Sequence, residues 1–227
     1  MEIIVIRHGQ SLYNVDLTQN LDSCLTDEGV DQAKKTGFWL KENFDLSGYI
    51  GFTSPYLRAL QTSREISSET GLKFSINHEV REYHIEKSAL KSQGGGMPIP
   101  NRSSEFYDFN WDNSSFSEKF EFYETETLDV FIHRINEFLQ ILDQNGKYVI
   151  VSHGAPTRVI YEVATNSDLD YLKKRYSGMN DPLGWPSCNK TNSENNRYAL
   201  SEVESIKNSS VTWITNNESK WFSKVVY

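Results

Sequence analysis

Cysteine is scarce: Cys24 and Cys188 are the two in 227 residues, too few for a disulfide framework and without the spacing of a zinc site. They are expected as two reduced thiols, with a single bridge between them as the alternative. Basic residues are in deficit, 23 Lys and Arg against 31 Asp and Glu, for a formal net charge of −8. That balance argues against nucleic acid as the main partner, because duplex binding depends on a basic footprint. It does not forbid an anionic substrate. Surface fields are screened over about 8 Å at physiological salt, so a few buried arginines can still dominate a pocket. No run of eighteen apolar residues occurs, which excludes a membrane-spanning helix. The segment Met1 to Ile6 has no basic region and meets Arg7 at once. It reads as a core strand rather than a signal peptide, and a cytoplasmic protein is expected.

What is present is an ordinary globular composition, 37% hydrophobic and 24% charged, in a length that suits one domain carrying an insertion. Short β-rich runs at Glu2–Ile6, Tyr49–Thr53, Lys73–Ile76 and Tyr148–Val151 alternate with helical patterns. Thr26-Asp27-Glu28-Gly29 is a hydroxyl cap followed by first-turn acids, opening a helix to about Phe44. Ser54-Pro55 reads as a cap and first-turn proline of a second helix, which Gly71 ends. From Thr127, apolar residues at Leu128, Phe131, Ile132, Ile135, Phe138, Leu139 and Leu142 form a complete helical stripe, with Gly146 as its stop. A further helix is expected from Pro156 to Ala164. Strands are expected in the tail at Arg197–Val203, Val211–Ile214 and Phe222–Val226, with a surface loop from Ser187 to Asn196.

Strands alternating with helices imply an α/β three-layer sandwich, a mostly parallel sheet with helices on both faces. Ligands in such sheets sit beyond the carboxyl ends of the strands. Arg7-His8-Gly9 and Ser152-His153-Gly154 both fall there, so one site can use both. Between residues 83 and 125 the alternation breaks, and this segment is expected as a cap or lid inserted in a single domain spanning 1–227. Gly94 to Pro100 reads as turn-rich, and Phe106 to Trp111 as aromatic and acidic.

Four blocks carry chemistry: Arg7-His8-Gly9-Gln10-Ser11 with Asn14, Ser54 to Thr62 containing Arg58, Val80-Arg81-Glu82, and Ser152-His153-Gly154. A bare Arg-His-Gly triplet is weak evidence; four blocks in this order are strong. Together with Leu25-Thr26-Asp27-Glu28-Gly29, they make the chain resemble the histidine phosphatase superfamily, the branch holding phosphoglycerate mutases and small-molecule phosphatases. The resemblance covers residues 1–82 and 126–163. It implies a phosphoglycerate mutase-like fold.

It also implies that His8 is the nucleophile that takes the phosphoryl group, and that Glu82 is the proton donor to the leaving oxygen. Arg7, Arg58 and His153 hold the phosphoryl oxygens in that pattern, with Asn14 and Gly154 as further phosphate contacts. The chemistry agrees. A nucleophilic imidazole must be unprotonated, and neighbouring cations depress its pKa. Guanidinium groups fork onto phosphoryl oxygens, and a carboxyl acting as an acid near neutrality needs a raised pKa. No metal or cofactor is required, since two arginines and two histidines meet the phosphoryl charge. Four residues keep a second reading: His8 as a strand-end histidine satisfied by backbone groups, Arg58 as a solvated surface arginine, Asn14 as a helix or turn cap, and Glu82 as one of several nearby candidates with Glu79, His84 and Glu86. His78, His84 and His133 read as ordinary surface or supporting residues.

The expected activity is hydrolysis of a small phosphorylated metabolite. The alternatives are a phosphoglycerate mutase, or a non-catalytic module that binds a partner through the phosphate pocket. From Arg102 to Glu126 the basic residues are Arg102 and Lys119, against Glu105, Asp108, Asp112, Glu118, Glu121, Glu124 and Glu126. An acidic, aromatic cap suits a phosphorylated polar alcohol or sugar better than a diacid. A solvated acidic loop is the other reading of the same residues.

Overall fold

A computed structural model describes residues 1–18, 22–83, 96–98, 122–124, 126–165, 169–170, 208–215 and 224–225. Outside them lie Cys188, His84, most of the 83–125 segment, the Ser187–Asn196 stretch and the expected strand at Arg197–Val203.

The strands are β1 (Glu2–Arg7), β2 (Tyr49–Thr53), β3 (Phe74–Ile76), β4 (Gly96–Pro98), β5 (Phe122–Glu124), β6 (Lys147–Ser152), β7 (Ser210–Thr215) and β8 (Lys224–Val225). The helices are α1 (Asp27–Asn43), α2 (Leu57–Thr70), α3 (Leu128–Ile141) and α4 (Gly154–Thr165). The main sheet runs β3-β2-β6-β1-β7-β8. Its first four strands are parallel, and β7 pairs antiparallel with both β1 and β8. This is the mostly parallel sheet the alternation predicts.

Side-chain alternation along the strands builds two cores. Ile3, Val5, Tyr148, Ile150 and Ile214 face α3 and α4 through Phe131, Ile135, Phe138, Val159 and Ile160. Ile4, Ile6, Val149 and Val151 face α1 and α2 through Leu40, Ala59 and Ile66. The result is three layers. A strand buried on both faces has no polar face to show, which explains the unbroken apolar runs of β1 and β6. Each fully buried Ile, Val or Phe contributes about 1.5–3 kcal/mol relative to exposure.

Thr26 caps α1 through its side chain, which accepts from the Gly29 amide at 3.0 Å, and Thr127 caps α3 in the same way at 3.3 Å from Val130. Gly71 closes α2 in the left-handed conformation, φ 74°, where a Cβ would be strained.

Three expectations need correction. First, α2 begins at Leu57, not at Ser54-Pro55. Its first amide is held by Asp22 Oδ1 at 2.7 Å, which releases Ser54 for another task. Second, α3 ends at Ile141, five residues before Gly146, where Leu142 turns extended to bury its side chain in the core. Third, Gly96–Pro98 within the expected turn-rich stretch is a strand, paired antiparallel with Phe122–Glu124.

Candidate active site

The register of the central pair decides which side chains meet. In the parallel β1–β6 ladder Arg7 lies opposite Ser152, so the next residues on each strand, His8 and His153, leave the sheet side by side. The His8 amide donates to the Ser152 carbonyl at 2.9 Å, and the Ser54 amide beyond β2 donates to the Val151 carbonyl at 2.9 Å. Three strand ends therefore deliver His8, His153 and the Ser54–Arg58 corner to one edge. The rings of His8 and His153 have centroids 5.1 Å apart, at 62° to each other. Both side chains are buried.

His8 is held at both ring nitrogens. Its Nδ1 lies 2.7 Å from the Gly9 carbonyl oxygen, and its Nε2 lies 3.1 Å from Arg58 Nε. A carbonyl only accepts and a guanidinium only donates, so Nδ1 carries the hydrogen and Nε2 presents its lone pair. Burial, then Arg58 and Arg7 beside it, push the imidazole well below its ordinary pKa, against the opposing effect of the Gly9 carbonyl. His8 is neutral, with its free electron pair on the nitrogen that faces the cations.

Gly9 explains how the strand can turn so tightly here. Its amide donates to Thr62 Oγ1 at 3.0 Å, and a Cβ at Gly9 would lie 2.4 Å from the Gly29 carbonyl oxygen. The strand end and the start of α1 touch backbone to backbone, and glycine is the residue that fits.

Arg58, in the first turn of α2, is buried, with its guanidinium carbon 5.1 Å from the centroid of the Tyr56 ring. Burial lowers its pKa, while Glu82, Tyr56, Asp22 and Tyr13 act the other way. Arg7 is lowered to about 10 by burial, an effect that Glu82 opposes and Arg58 reinforces. Both remain cations at neutral pH.

His153 Nε2 is 2.7 Å from Ser54 Oγ, and the Tyr56 ring packs edge-on against the imidazole at 5.3 Å. Its Nδ1 lies 3.7 Å from Glu82 Oε2, beyond direct hydrogen-bond range. Glu82 follows a 3₁₀ turn at His78–Val80 and accepts the Tyr83 amide at 3.0 Å. Desolvation raises its carboxyl above the ordinary value, outweighing Arg58, the Tyr83 amide, Arg7 and Arg134. Its side chain keeps 27% exposure, an opening toward solvent.

Asn14 sits on an exposed 3₁₀ turn, Leu12–Val15, where its Oδ1 accepts from the Ser11 amide at 3.1 Å and the Ser11 hydroxyl at 3.0 Å. It completes a capping box there. Gly154 is the first residue of α4, directly after His153, so its backbone lies at a helix N-terminus, where anions are favoured. His133 is exposed on α3 and His78 is half-buried, its pKa lowered by burial and by Arg81.

Arg7, His8, Arg58, Glu82 and His153 thus converge, while Ser54, Tyr56, Asp22 and Thr62 hold them from behind. Of the supports, Ser54 carried a visible signal, a hydroxyl at a strand exit, but one that also spells a helix cap. Glu126 does not belong to the acidic exposed set. It is buried against Arg134, with Nη2 2.5 Å from its Oε1 and Nε 2.9 Å from its Oε2. Among the described residues no group of three or more His, Cys, Asp or Glu is placed to hold a metal ion, and no helix is long and apolar enough to cross a membrane.

Two imidazoles, two guanidiniums and a carboxyl meet at one sheet edge. The chain belongs to the histidine phosphatase superfamily, whose branch 1 family model matches residues 3–180. No curated protein matches the chain. Among solved structures, it is similar to a phosphoserine phosphatase from Entamoeba histolytica in complex with 3-phosphoglyceric acid. That likeness has 19% identity over 94% of this chain and 90% of the other, with a TM-score of 0.53. A mycobacterial glucosyl-3-phosphoglycerate phosphatase in complex with VO3 is similar at 18% identity over 94% of this chain and 90% of the other, TM-score 0.52. At these identities the likeness is one of fold.

Proposed function

We propose that this protein is a metal-independent phosphomonoesterase that hydrolyses a small phosphorylated metabolite through a phosphohistidine on His8 Nε2. The observation that carries the reading is the neutral His8 ring, its Nε2 lone pair facing the Arg58 guanidinium at 3.1 Å. In the first step Nε2 attacks phosphorus, the P–O ester bond breaks, and the departing alkoxide takes the proton of the Glu82 carboxyl. In the second, water attacks phosphorus, its proton passes to the Glu82 carboxylate, the P–N bond breaks, and inorganic phosphate leaves. Arg7, Arg58 and His153 stabilise the equatorial oxygens in both steps, a preorganised electrostatic effect. Asn14 and the Gly154 amide are proposed as further phosphate contacts.

Residues 83–125 are proposed as a cap on this edge. Their acidic, aromatic composition favours a phosphorylated polar alcohol or sugar over a substrate with a second anionic group. The two solved structures named above carry the names of small phosphorylated substrates, which supports a small phosphate ester; both of those substrates also bear a carboxylate, so the preference for a single anionic group rests on the composition of residues 83–125 alone. The test is turnover of para-nitrophenyl phosphate in chelator, beside His8→Ala. Metal-independent turnover that His8→Ala abolishes is expected. Chelator-sensitive turnover, or a His8→Ala variant as active as wild type, contradicts the proposal.

A further inference from the structure

The buried face of α3 is apolar except at Arg134. Phe131, Ile132, Ile135, Phe138 and Leu139 surround it, and its side chain is 6% exposed. A buried ion pair costs desolvation on both partners and is frequently no more stable than an apolar pair of similar volume. Stability alone is therefore a weak reason for placing an arginine here, and its contacts indicate another.

The guanidinium forks onto both carboxylate oxygens of Glu126. Its remaining nitrogen, Nη1, donates to the Glu79 carbonyl and lies 3.5 Å from the Arg81 carbonyl. Arg81 reaches the same carboxylate from the other side, Nη2 to Glu126 Oε2 at 3.5 Å. One turn earlier on α3, Phe131 stacks on Tyr83 with centroids 4.6 Å apart, while the Arg134 guanidinium carbon lies 4.9 Å from the Phe131 centroid. The Val80 carbonyl accepts from Ser152 Oγ at 2.6 Å. Residues 79, 80, 81 and 83 are all fastened to α3 or β6. Glu82, between them, extends toward His153.

We infer that Arg134, oriented by Glu126, is the positioning residue that holds the Glu82 loop against the two histidines. The inference rests on the proposed phosphatase reading, in which Glu82 protonates the leaving oxygen. Its physical basis is the steep cost of misplacing a catalytic group: a shift of about 1 Å can cost on the order of a hundredfold. Because Glu126 directly follows the 83–125 segment, the same pair joins the end of that segment to the acid.

The inference predicts a selective defect. An acid matters most when the leaving oxygen is basic, and little when it departs readily as an anion. The full chain is assayed as wild type, Arg134→Lys, and the double variant Arg134→Met with Glu126→Leu, with Glu82→Gln as the benchmark. The substrates are phenyl phosphate and 2,4-dinitrophenyl phosphate. Lysine keeps the charge but cannot make the fork and the carbonyl bonds together; the double variant removes both halves of the buried fork at once and leaves Arg81 with Glu79, 3.8 Å away. Both are expected to lose about tenfold or more in kcat/KM on phenyl phosphate and less than about threefold on the dinitrophenyl ester, as Glu82→Gln does. A merely structural role lowers both substrates by one factor. Equal losses, or no loss on either ester, in whichever variant folds, overturn the inference while leaving an active wild type and the phosphatase reading intact. A wild type inactive on both esters overturns the reading and the inference together.

Discussion

Arg58 Nε donates to His8 Nε2 across 3.1 Å, so the group that holds the Nε2 lone pair also occupies the place that the proposed mechanism assigns to the phosphoryl group. The contact serves as a resting position. On the proposed mechanism, an entering ester takes over the guanidinium's hydrogen bonds and uncovers the nitrogen. The same cation keeps the ring neutral, since with burial and Arg7 it depresses the His8 pKa. Resting state and attack are thus controlled by one side chain.

Arg58→Ala should therefore do two separable things. It removes a charge stabiliser of the transferring group, for an expected loss of about 10²–10³ in kcat. It also lets the His8 pKa rise, so the acid limb of the pH–rate profile moves to higher pH. Steady-state kinetics across pH check both; a loss of rate with an unmoved acid limb contradicts this role.

Wild-type pH dependence follows from two opposite shifts. The proposed mechanism requires His8 neutral and Glu82 protonated in the free enzyme. His8 is held well below 6.5 and Glu82 above 4.5, so kcat/KM for a poor leaving group should peak on the acidic side. It should then fall as pH rises through the Glu82 value, and Glu82→Gln should lose that alkaline limb along with about 10²–10⁴ in rate. A wild-type profile that climbs through about pH 6.5, the ordinary histidine value, contradicts the account.

Glu82 should also be a cost to the fold. A carboxyl whose folded pKa is raised contributes stability below its unfolded value and loses that contribution as pH rises through the folded value. Above the folded value the charged carboxylate sits in a desolvated place. Glu82→Gln is predicted to raise Tm at about pH 7, with the gain vanishing below about pH 4, where the wild-type carboxyl is mostly protonated in both states. Thermal unfolding at the two pH values checks the sign.

Gly9→Ala should destabilise through backbone contact alone. The added Cβ meets the Gly29 carbonyl at 2.4 Å, and neither backbone has a flexible side chain to yield. Overpacking of this kind costs about 1–3 kcal/mol. For a chain of this size that is roughly 2–4 °C in Tm per kcal/mol. Because His8 is the adjacent residue, activity should fall by more than the unfolded fraction explains.

Much of this was legible in the residues. The unbroken apolar runs of β1 and β6 could only be doubly buried strands, and the stripe from Leu128 to Leu142 could only be a helix on a core. Helix ends were harder. Ser54 has the chemistry of a cap, but the strand register places it beside His153, and Asp22, distant in sequence, serves the first amide of α2. Gly146 has the chemistry of a stop, yet α3 ends sooner because Leu142 buries itself. Arg134 was invisible for a related reason. In a helical pattern an arginine between Phe131 and Ile135 reads as a solvent-edge residue, and its partner Glu126 reads as part of an exposed acidic run. Only the three-dimensional closure of the Glu82 loop against α3 joins them.

The central claim, a covalent phosphohistidine on His8, is tested most directly by trapping it. Protein mixed with a ³²P-labelled phosphate ester and quenched in alkali, where an N–P bond survives, should carry label on the peptide containing His8, at Nε2. No label should appear on His8→Ala. Rapid turnover with label on another residue, or with undiminished rate in the His8→Ala variant, would contradict the account.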